Sequence, residues 1–413
     1  MSAVFDYRVF ATLFFAIFAA VLGMGIVVPL LPVYAHDLGA SGLYIGLIFG
    51  AFALSRSFLL PYFGRRSDRK GRKGYIVAGL GAYALISVAF LYAADVRVLI
   101  AIRFVQGIAS AMIMPVVQAY VGDITPRGRE GFIMGLFNMS LFFGLSFGPL
   151  MGGVIKDRLS LDAAFVCMGI LALFGFLLCC FLLPPVHTES VVRQQRAPAP
   201  WGRLLKDRVT LALVVFRFTY TAAIGVIWCF LPVLAVMRQG LDSTAIGFLV
   251  MLGVFISGCL NTPLGWVADR WNRKLLVVAG GLLVCAALVR YTTAQGFEDL
   301  VWGGLLFGAG GGISMPALMA IAVEKGRSTD SMGAIMAILT VAHSVGMLAG
   351  SLLGGVMMDW YRLELAFYLG AAVTLTGVVL FLGLLMGKTT NTMAPGVPMS
   401  AEPPPAEEGP PVG

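Results

Sequence analysis

The sequence predicts an all-α integral membrane protein whose twelve transmembrane helices form two six-helix halves. Three observations lead to this prediction: the composition, a series of long apolar stretches and an internal repeat. Of the 413 residues, 59% are hydrophobic and only 12% are charged, about half the charged share of a typical soluble protein. A soluble domain of this composition would lack a polar surface, so the sequence favours a chain that faces lipid.

Twelve apolar stretches are long enough to cross a bilayer, whose core of about 30 Å requires roughly 20 apolar residues in a helix. They predict spans at 8–34, 42–64, 75–94, 97–122, 132–155, 162–184, 209–237, 243–265, 274–295, 299–324, 332–357 and 363–387. The predicted organisation is a first bundle at 1–184, a polar central loop at 185–208, a second bundle at 209–387 and a tail at 388–413. The tail is rich in proline and glutamate, a composition typical of disordered segments.

The placement of lysine and arginine predicts the orientation of the chain. With both termini in the cytoplasm, 20 of the 29 lysines and arginines fall on the inner side and six on the outer side. Cytoplasmic loops of membrane proteins carry such an excess. We therefore expect a multi-pass protein of the cell inner (plasma) membrane with cytoplasmic termini. The same bias explains the net charge of +8 without a nucleic-acid partner.

The two predicted halves repeat each other in sequence. Five residues recur 201 positions later, namely Gly64, Asp68, Arg69, Arg72 and Lys73 as Gly265, Asp269, Arg270, Arg273 and Lys274. Asp157 recurs 202 positions later as Asp359, and Gly-Gly-Val precedes both. Parallel repeats of this kind indicate two halves related by an axis along the membrane normal, with a binding site between them near the midplane. The repeat therefore predicts alternating access.

The stretch from Gly64 to Lys73 lies between the second and third predicted spans. Gly64 and Gly71 permit a tight turn, and Asp68 is suited to the N-terminus of a neighbouring helix. Arg69, Arg72 and Lys73 bring positive charge, and the arginines can pair with acidic groups at other helix ends, such as Asp123. The alternative is a simple positive anchor, which requires neither the aspartate nor the glycines.

The fourth and fifth spans carry two further patterns. Arg103 and Gln106 lie inside the fourth span, where an arginine is costly and usually functional; the alternative is a structural arginine that bonds backbone carbonyls. The fifth span contains small residues that permit close helix approach and a proline that bends the helix. These residues are Gly135, Gly144, Gly148, Pro149, Gly152 and Gly153.

Together the three patterns resemble the signature motifs of the major facilitator superfamily, and the fifth span resembles its twelve-helix drug:proton antiporter branch of multidrug efflux proteins. The resemblance covers the N-terminal half well, whereas the C-terminal half keeps only a degenerate copy at 265–274. It implies the major facilitator fold, a conformational latch and export rather than uptake. The latch residues would be Gly64, Asp68, Arg69, Gly71, Arg72, Lys73 and Asp123, and Arg103 and Gln106 would take part in proton coupling. Arg65 and Arg66 depart from the usual, more apolar filling, which points to a latch bound to anionic lipid.

Polar side chains at membrane depth indicate the cargo. Arg56, Arg103 and Arg217 lie within spans, and no Asp or Glu lies in the middle of one. The predicted interior is therefore electropositive and matches an anionic or zwitterionic amphipath. The predicted cavity residues are Arg217, Arg56, Asn138, Tyr220, Trp228 and Met112. Arg56 has two alternatives, which are bonding to backbone carbonyls and extending toward the cytoplasm.

The proton carrier stays open between several groups. His343 lies near the middle of the eleventh span, and histidine is suited to proton exchange near neutral pH. A structural histidine, the carboxylates Asp123 and Glu324, and transport without proton coupling are the alternatives.

The sequence as a whole predicts a proton-coupled exporter of small amphipathic molecules. The alternatives are a lipid or lysolipid flippase, an exporter of siderophore-like organic anions and, third, a solute importer. An enzyme is not expected, because no nucleophile–base pair and no set of metal ligands emerges from His36, His187 and His343. The expected partners are the cargo, protons and membrane lipids, with no cofactor, no metal and no nucleic acid, and we expect a monomer.

Overall fold

The structure, a computed structural model, describes residues 6–126, 129–184, 201–329 and 331–386. These ranges are built from helices joined by short connections and contain no strand. The helices are α1 (Tyr7–Val27), α2 (Leu30–Asp37), α3 (Gly42–Lys70), α4 (Arg72–Leu91), α5 (Val96–Ile124), α6 (Glu130–Arg158), α7 (Leu161–Leu182), α8 (Trp201–Leu204), α9 (Arg208–Gln239), α10 (Ser243–Arg270), α11 (Arg273–Thr293), α12 (Phe297–Ser328), α13 (Met332–Trp360) and α14 (Leu363–Met386).

Twelve spans in this part of the chain are long and apolar enough to cross a membrane, with α1 and α2 counted as one. The predicted fold class is thus confirmed. The first span is divided because Pro29 has no N–H to donate to the preceding turn. As a result α1 ends at Val27 and α2 begins at Leu30.

The connection between α3 and α4 differs from the prediction. The second span does not end at 64, because α3 continues to Lys70 and only Gly71 separates it from α4. Gly71 has a φ of 89°, a left-handed conformation that favours glycine. The predicted turn at Gly64 is therefore wrong. Arginine and lysine are good helix formers, so the polar residues after Gly64 extend the helix beyond its apolar part.

The halves meet mainly through two pairs of helices, α3 with α13 and α6 with α10. Glycines make these contacts close. A side chain at Gly46 would overlap the backbone of Ser351, and one at Gly247 would overlap the backbone of Pro149. The remaining helices pack mainly within their own half. The C-terminal half therefore contacts the N-terminal half chiefly through α13 and α10.

Two predicted segments fall largely or wholly outside the described residues. The predicted tail at 388–413 lies beyond them, as do residues 185–200 of the predicted central loop. The rest of that loop contains α8, and α9 begins at its last residue, Arg208.

Candidate substrate site and gates

Three basic side chains lie on helices that pack against one another between the two halves. α13 carries His343 and packs against both α3, which carries Arg56, and α9, which carries Arg217. Residues from the two halves thus converge on one helix, and we call Arg56, Arg217 and His343 the interior layer.

The interior layer lacks hydrogen-bond acceptors. Each of the three side chains is half-buried, and each has a buried nitrogen without a hydrogen-bond partner among the described residues: Nε of Arg56, Nε of Arg217 and Nδ1 of His343. Nη1 of Arg217 lies 2.7 Å from Sδ of Met315, but a thioether is a weak acceptor. An unpartnered buried donor costs about 1–3 kcal/mol, and a charged one more. A bound anion would supply the missing acceptors.

Arg56 lines a cavity of about 160 Å³ inside the N-terminal half. Its other walls are mostly apolar, and the polar groups are Tyr83 and Ser110. The Tyr83 hydroxyl lies 3.7 Å from Sδ of Met24. Apolar walls with a few placed polar groups are typical of sites for amphipathic ligands. Met114 of α5 lines this cavity, whereas Met112 does not, because the two side chains project from different faces of the helix.

On the C-terminal side, Arg217 is followed one turn later by Tyr220. The ring of Tyr220 stacks against Phe216 and Phe307, with centroids 6.3 and 6.5 Å away. Two other predicted cavity residues show no contact with this group among the described residues. Asn138 is exposed on α6, and Trp228 lies eleven residues beyond Arg217 on α9, which is about 16 Å along a helix.

Arg103 has an environment opposite to that of the interior layer. Its side chain is 3% exposed, and Nη1 donates a hydrogen bond of 2.6 Å to Oε1 of Gln106. Nε donates to the backbone carbonyl of Ile48 at 3.4 Å, and the guanidinium lies 4.5 Å from the ring centroid of Phe52. Arg103 therefore ties α5 to α3 inside the N-terminal half. The bond to the Ile48 carbonyl fits the structural alternative that the sequence left open; the coupling role stays a prediction.

One end of the bundle, which we call the basic end, contains the junctions α3–α4 and α10–α11. There Arg72 pairs with Asp123 at 2.8 Å and with Asp68 at 3.3 Å. The C-terminal half repeats this set, since Arg273 pairs with Glu324 at 2.7 Å and with Asp269 at 3.7 Å. The copy that looks degenerate in sequence thus retains all three charged partners.

Two details of the predicted latch differ in the structure. Asp68 does not cap a neighbouring helix but pairs with Arg72, because the turn at Gly71 brings the two side chains together. Arg69 is exposed, and neither Arg69 nor Lys73 forms an ion pair with another described residue. The latch role of these residues stays a prediction.

At the opposite end, where α2 meets α3 and α9 meets α10, two aspartates connect the halves. Asp157, near the end of α6, accepts hydrogen bonds from the backbone N–H groups of Ser243 at 3.2 Å and Thr244 at 2.6 Å. Asp359, near the end of α13, accepts from Gly42 at 2.5 Å and Leu43 at 2.9 Å. A carboxylate at a helix N-terminus is stabilised by the unpaired N–H groups and the dipole.

Every side-chain hydrogen bond or ion pair that joins the two halves within the described ranges lies at this opposite end. The sequence analysis assigned no role to Asp157 and Asp359. The signal was available, because they are equivalent positions of the repeat and so are the helix starts that they cap, Gly42 and Ser243.

The glycines of α6 make the contacts that small residues permit, with one exception. Gly144, Gly148 and Gly152 pack against the backbone of α1, and a Cβ added at Gly148 would lie only 2.7 Å from Cα of Gly25. Gly153 packs against Ser243 of α10, and Pro149 lies inside the helix. A side chain at Gly135 would meet nothing within 4 Å. The predicted packing role of Gly135 is therefore wrong in this conformation.

A larger cavity, of about 830 Å³, lies at the basic end of the C-terminal half, away from the interior layer. Its acidic residues already have partners, since Asp207 bonds Lys325 at 2.9 Å and Arg273 holds Glu324. Burial tends to raise the pKa of Asp207, but hydrogen bonds from Lys325 and Thr210 hold that pKa below its ordinary value. The carboxylates of this cavity are held in formed ion pairs, so the unpartnered interior layer is the better candidate for cargo.

The chain resembles known membrane transporters over most of its length. It is 26% identical over 346 residues to an uncharacterised MFS-type transporter of Methanocaldococcus jannaschii, covering 83% of this chain and 89% of the relative. It is 24% identical over 372 residues to the quinolone resistance protein NorA of Staphylococcus aureus, covering 90% and 95%.

Solved structures share the fold at low identity. The nucleoside transporter NupG matches with a TM-score of 0.74 and 12% identity, covering 92% of this chain and 100% of that one. The human organic anion transporter MFSD10 matches with a TM-score of 0.62 and 17% identity, covering 91% and 99%. The sequence profile described as Major Facilitator Superfamily matches residues 13–324 and 217–407. The chain therefore belongs to the major facilitator superfamily of membrane transporters.

Proposed function

We propose that this transporter exports small amphipathic molecules that carry an anionic group, by alternating access between two halves. The observation that carries the proposal is the interior layer, where Arg56 and Arg217 come from different halves and each has an unpartnered buried Nε. A carboxylate or phosphate bound at either guanidinium would accept the missing hydrogen bond, and α13 packs against the helices that carry both. The absence of any Asp or Glu from the middle of a span favours an anion over a cation.

The relatives and the contacts of α6 support the outward direction. NorA is described as a resistance protein, and α6 carries the glycine pattern that resembles the antiporter branch. The two aspartate caps support the mechanism. Asp157 and Asp359 hold the opposite end closed, and the halves share no side-chain bond at the basic end within the described ranges. With the basic end in the cytoplasm, this is a state ready to accept cargo from inside.

Proton exchange through His343 completes the leading proposal, and the same residue favours a second candidate. A proton on His343 adds positive charge to a layer that already holds Arg56 and Arg217, and a bound anion offsets that charge. Anion and proton therefore favour each other's binding, whereas exchange requires that they compete. The second candidate is cotransport of an anion with a proton. A flippase for anionic lipids would use the same layer with a larger cargo.

Flux in proteoliposomes tests the proposal. An anionic and a cationic amphipath of matched size are compared with an imposed pH gradient of either direction. We expect the anion to be preferred and its flux to depend on the pH gradient, with movement against the proton flow indicating exchange. We expect His343→Gln to abolish the effect of the gradient while the anion preference remains. The control is Arg97→Gln, which changes an exposed arginine in the first turn of α5. This variant is expected to behave like the wild type.

Each other outcome has a definite meaning. Preference for the cation contradicts the proposed cargo. Movement of the anion in the same direction as the proton replaces exchange by cotransport.

A further inference from the structure

We propose that the last turns of α3 bind the phosphate group of an anionic phospholipid. The site is formed by Tyr62, Arg65, Arg66, Arg69 and Lys70, which we name the basic stripe. The proposal is independent of the cargo and of the direction of transport.

The basic stripe occupies one face of the helix. Tyr62, the pair Arg65 and Arg66, and the pair Arg69 and Lys70 follow one another at intervals of three or four residues, which places them side by side on a helix surface. Together with Pro61 they line a groove of about 520 Å³. All five side chains are exposed, so the groove is accessible from outside the bundle.

The groove contains four cations and no carboxylate. Asp68, the nearest acidic residue in sequence, pairs with Arg72 instead. Arg66 donates a hydrogen bond of 2.9 Å from Nη1 to the Tyr62 hydroxyl, which orients it without neutralising it. Arg65, Arg69 and Lys70 form no ion pair with any described residue. Four adjacent like charges repel one another, and a bound phosphate would relieve that repulsion.

The surroundings of the groove favour a lipid over a soluble phosphate. The same face of α3 continues toward the middle of the span as exposed Leu54 and Phe58, the latter 75% exposed. Tyr62 follows one turn later, and the cations come last. Along this face the apolar side chains come first, the tyrosine second and the cations last. This order matches that of the acyl chains, the interface and the headgroups in a bilayer. Basic residues at this level attract anionic lipids by about 1 kcal/mol each.

The repeat provides an internal comparison. The equivalent positions 201 residues later lie at the end of α10 and directly after it. They contain Trp266, Val267, Arg270 and Trp271. Arg270 lies 3.6 Å above the ring of Trp266, so the single cation there is already in contact with an aromatic face. The fold thus forms the same helix end without a cluster of cations. The basic stripe is a feature of the N-terminal half alone.

The test is lipid retention by the full-length protein, measured by native mass spectrometry after reconstitution with phosphatidylglycerol, with phosphatidylcholine, or with phosphatidylcholine plus inorganic phosphate. We expect the wild type to prefer phosphatidylglycerol and the double variant R65Q/R66Q to lose that preference on the order of tenfold. The matched control R270Q, at the equivalent helix end, is expected to retain it. The variant R65K/R66K preserves the charge and is expected to bind like the wild type.

Two results would overturn the proposal. One is equal retention of phosphatidylglycerol by the wild type and R65Q/R66Q, which would leave the stripe as a charged anchor without lipid selectivity. The other is full displacement of the lipid by inorganic phosphate at millimolar concentration, which would indicate a soluble anion site. If R65Q/R66Q fails to fold, the salt dependence of retention by the wild type decides, because binding through cations must weaken as salt screens them.

Discussion

Arg103 and the interior layer show how differently one fold can treat a buried positive charge. Arg103 has a hydrogen bond to Gln106, a second to the Ile48 carbonyl and the ring of Phe52 beneath it. Arg56 and Arg217 also lie within spans, yet each has an Nε without any partner in the described part of the chain. The difference separates an arginine that holds helices together from arginines that await a ligand.

The largest expected effect comes from removing the partnered arginine. Arg103→Leu leaves the Gln106 side chain and the Ile48 carbonyl without their donor inside the bundle. We expect the free energy of unfolding to fall by about 2 kcal/mol, measured by thermal unfolding of the purified protein. Arg103→Lys keeps the charge and is expected to lose less. An unchanged melting temperature with abolished flux would show that Arg103 acts in coupling rather than in holding α5 to α3.

The unpartnered arginines are expected to behave in the opposite way. Arg217→Gln removes a charge-assisted hydrogen bond to the cargo, so the affinity for an anion is expected to fall about tenfold, or 1.4 kcal/mol. The melting temperature is expected to stay the same or rise, because an uncompensated buried charge has been removed. Binding and thermal unfolding are measured on the same preparation. A marked drop in stability with unchanged affinity would make Arg217 a structural residue like Arg103.

A smaller effect is expected at the aspartate caps. Asp359→Asn weakens the contact between α13 and the start of α3 by about 1 kcal/mol. We expect the opposite end to open more often, measured as a longer distance between spin labels on Leu159→Cys and Tyr361→Cys. Asp162→Asn, an exposed acidic residue in the first turn of α7, is the control and leaves the distance unchanged. An unaltered distance distribution in Asp359→Asn would show that the cap does not hold this end closed.

The smallest effect on stability is expected at the basic end. The side chain of Asp68 is 58% exposed, and exposed ion pairs contribute at most about 1 kcal/mol. Asp68→Asn should therefore leave the melting temperature nearly unchanged but reduce flux if the latch operates. Asp269→Asn is the matched substitution in the C-terminal half, where Asp269 pairs with Arg273 as Asp68 pairs with Arg72. Wild-type flux in Asp68→Asn would remove the latch assignment.

The sequence predicted the fold well because hydropathy acts over whole spans, whereas the orientation predicted from lysine and arginine placement stays a prediction. All twelve spans are present, and the three intramembrane arginines lie inside helices as expected. The end of α3 was missed because the polar residues after Gly64 end an apolar stretch without ending a helix. Hydropathy alone does not distinguish the two.

The candidate site was predicted in part. Arg56, Arg217 and His343 could be identified as polar residues at membrane depth. The packing of α3, which carries Arg56, against α13, which carries His343, depends on how the two halves dock. Whether an arginine has a partner also depends on residues distant in sequence, such as Ile48 for Arg103. The aspartate caps were visible as repeated positions, yet their role needs the contact between α6 and α10 and between α13 and α3.

Equilibrium binding of a carboxylate amphipath and of its methyl ester tests the central claim most directly, because the ester removes the negative charge at the cost of one added methyl group. The interior layer predicts that the wild type and Arg97→Gln bind the carboxylate at least about tenfold more tightly than the ester. It also predicts that the difference vanishes in the double variant R56Q/R217Q. Equal affinities for the two ligands in the wild type would contradict the account.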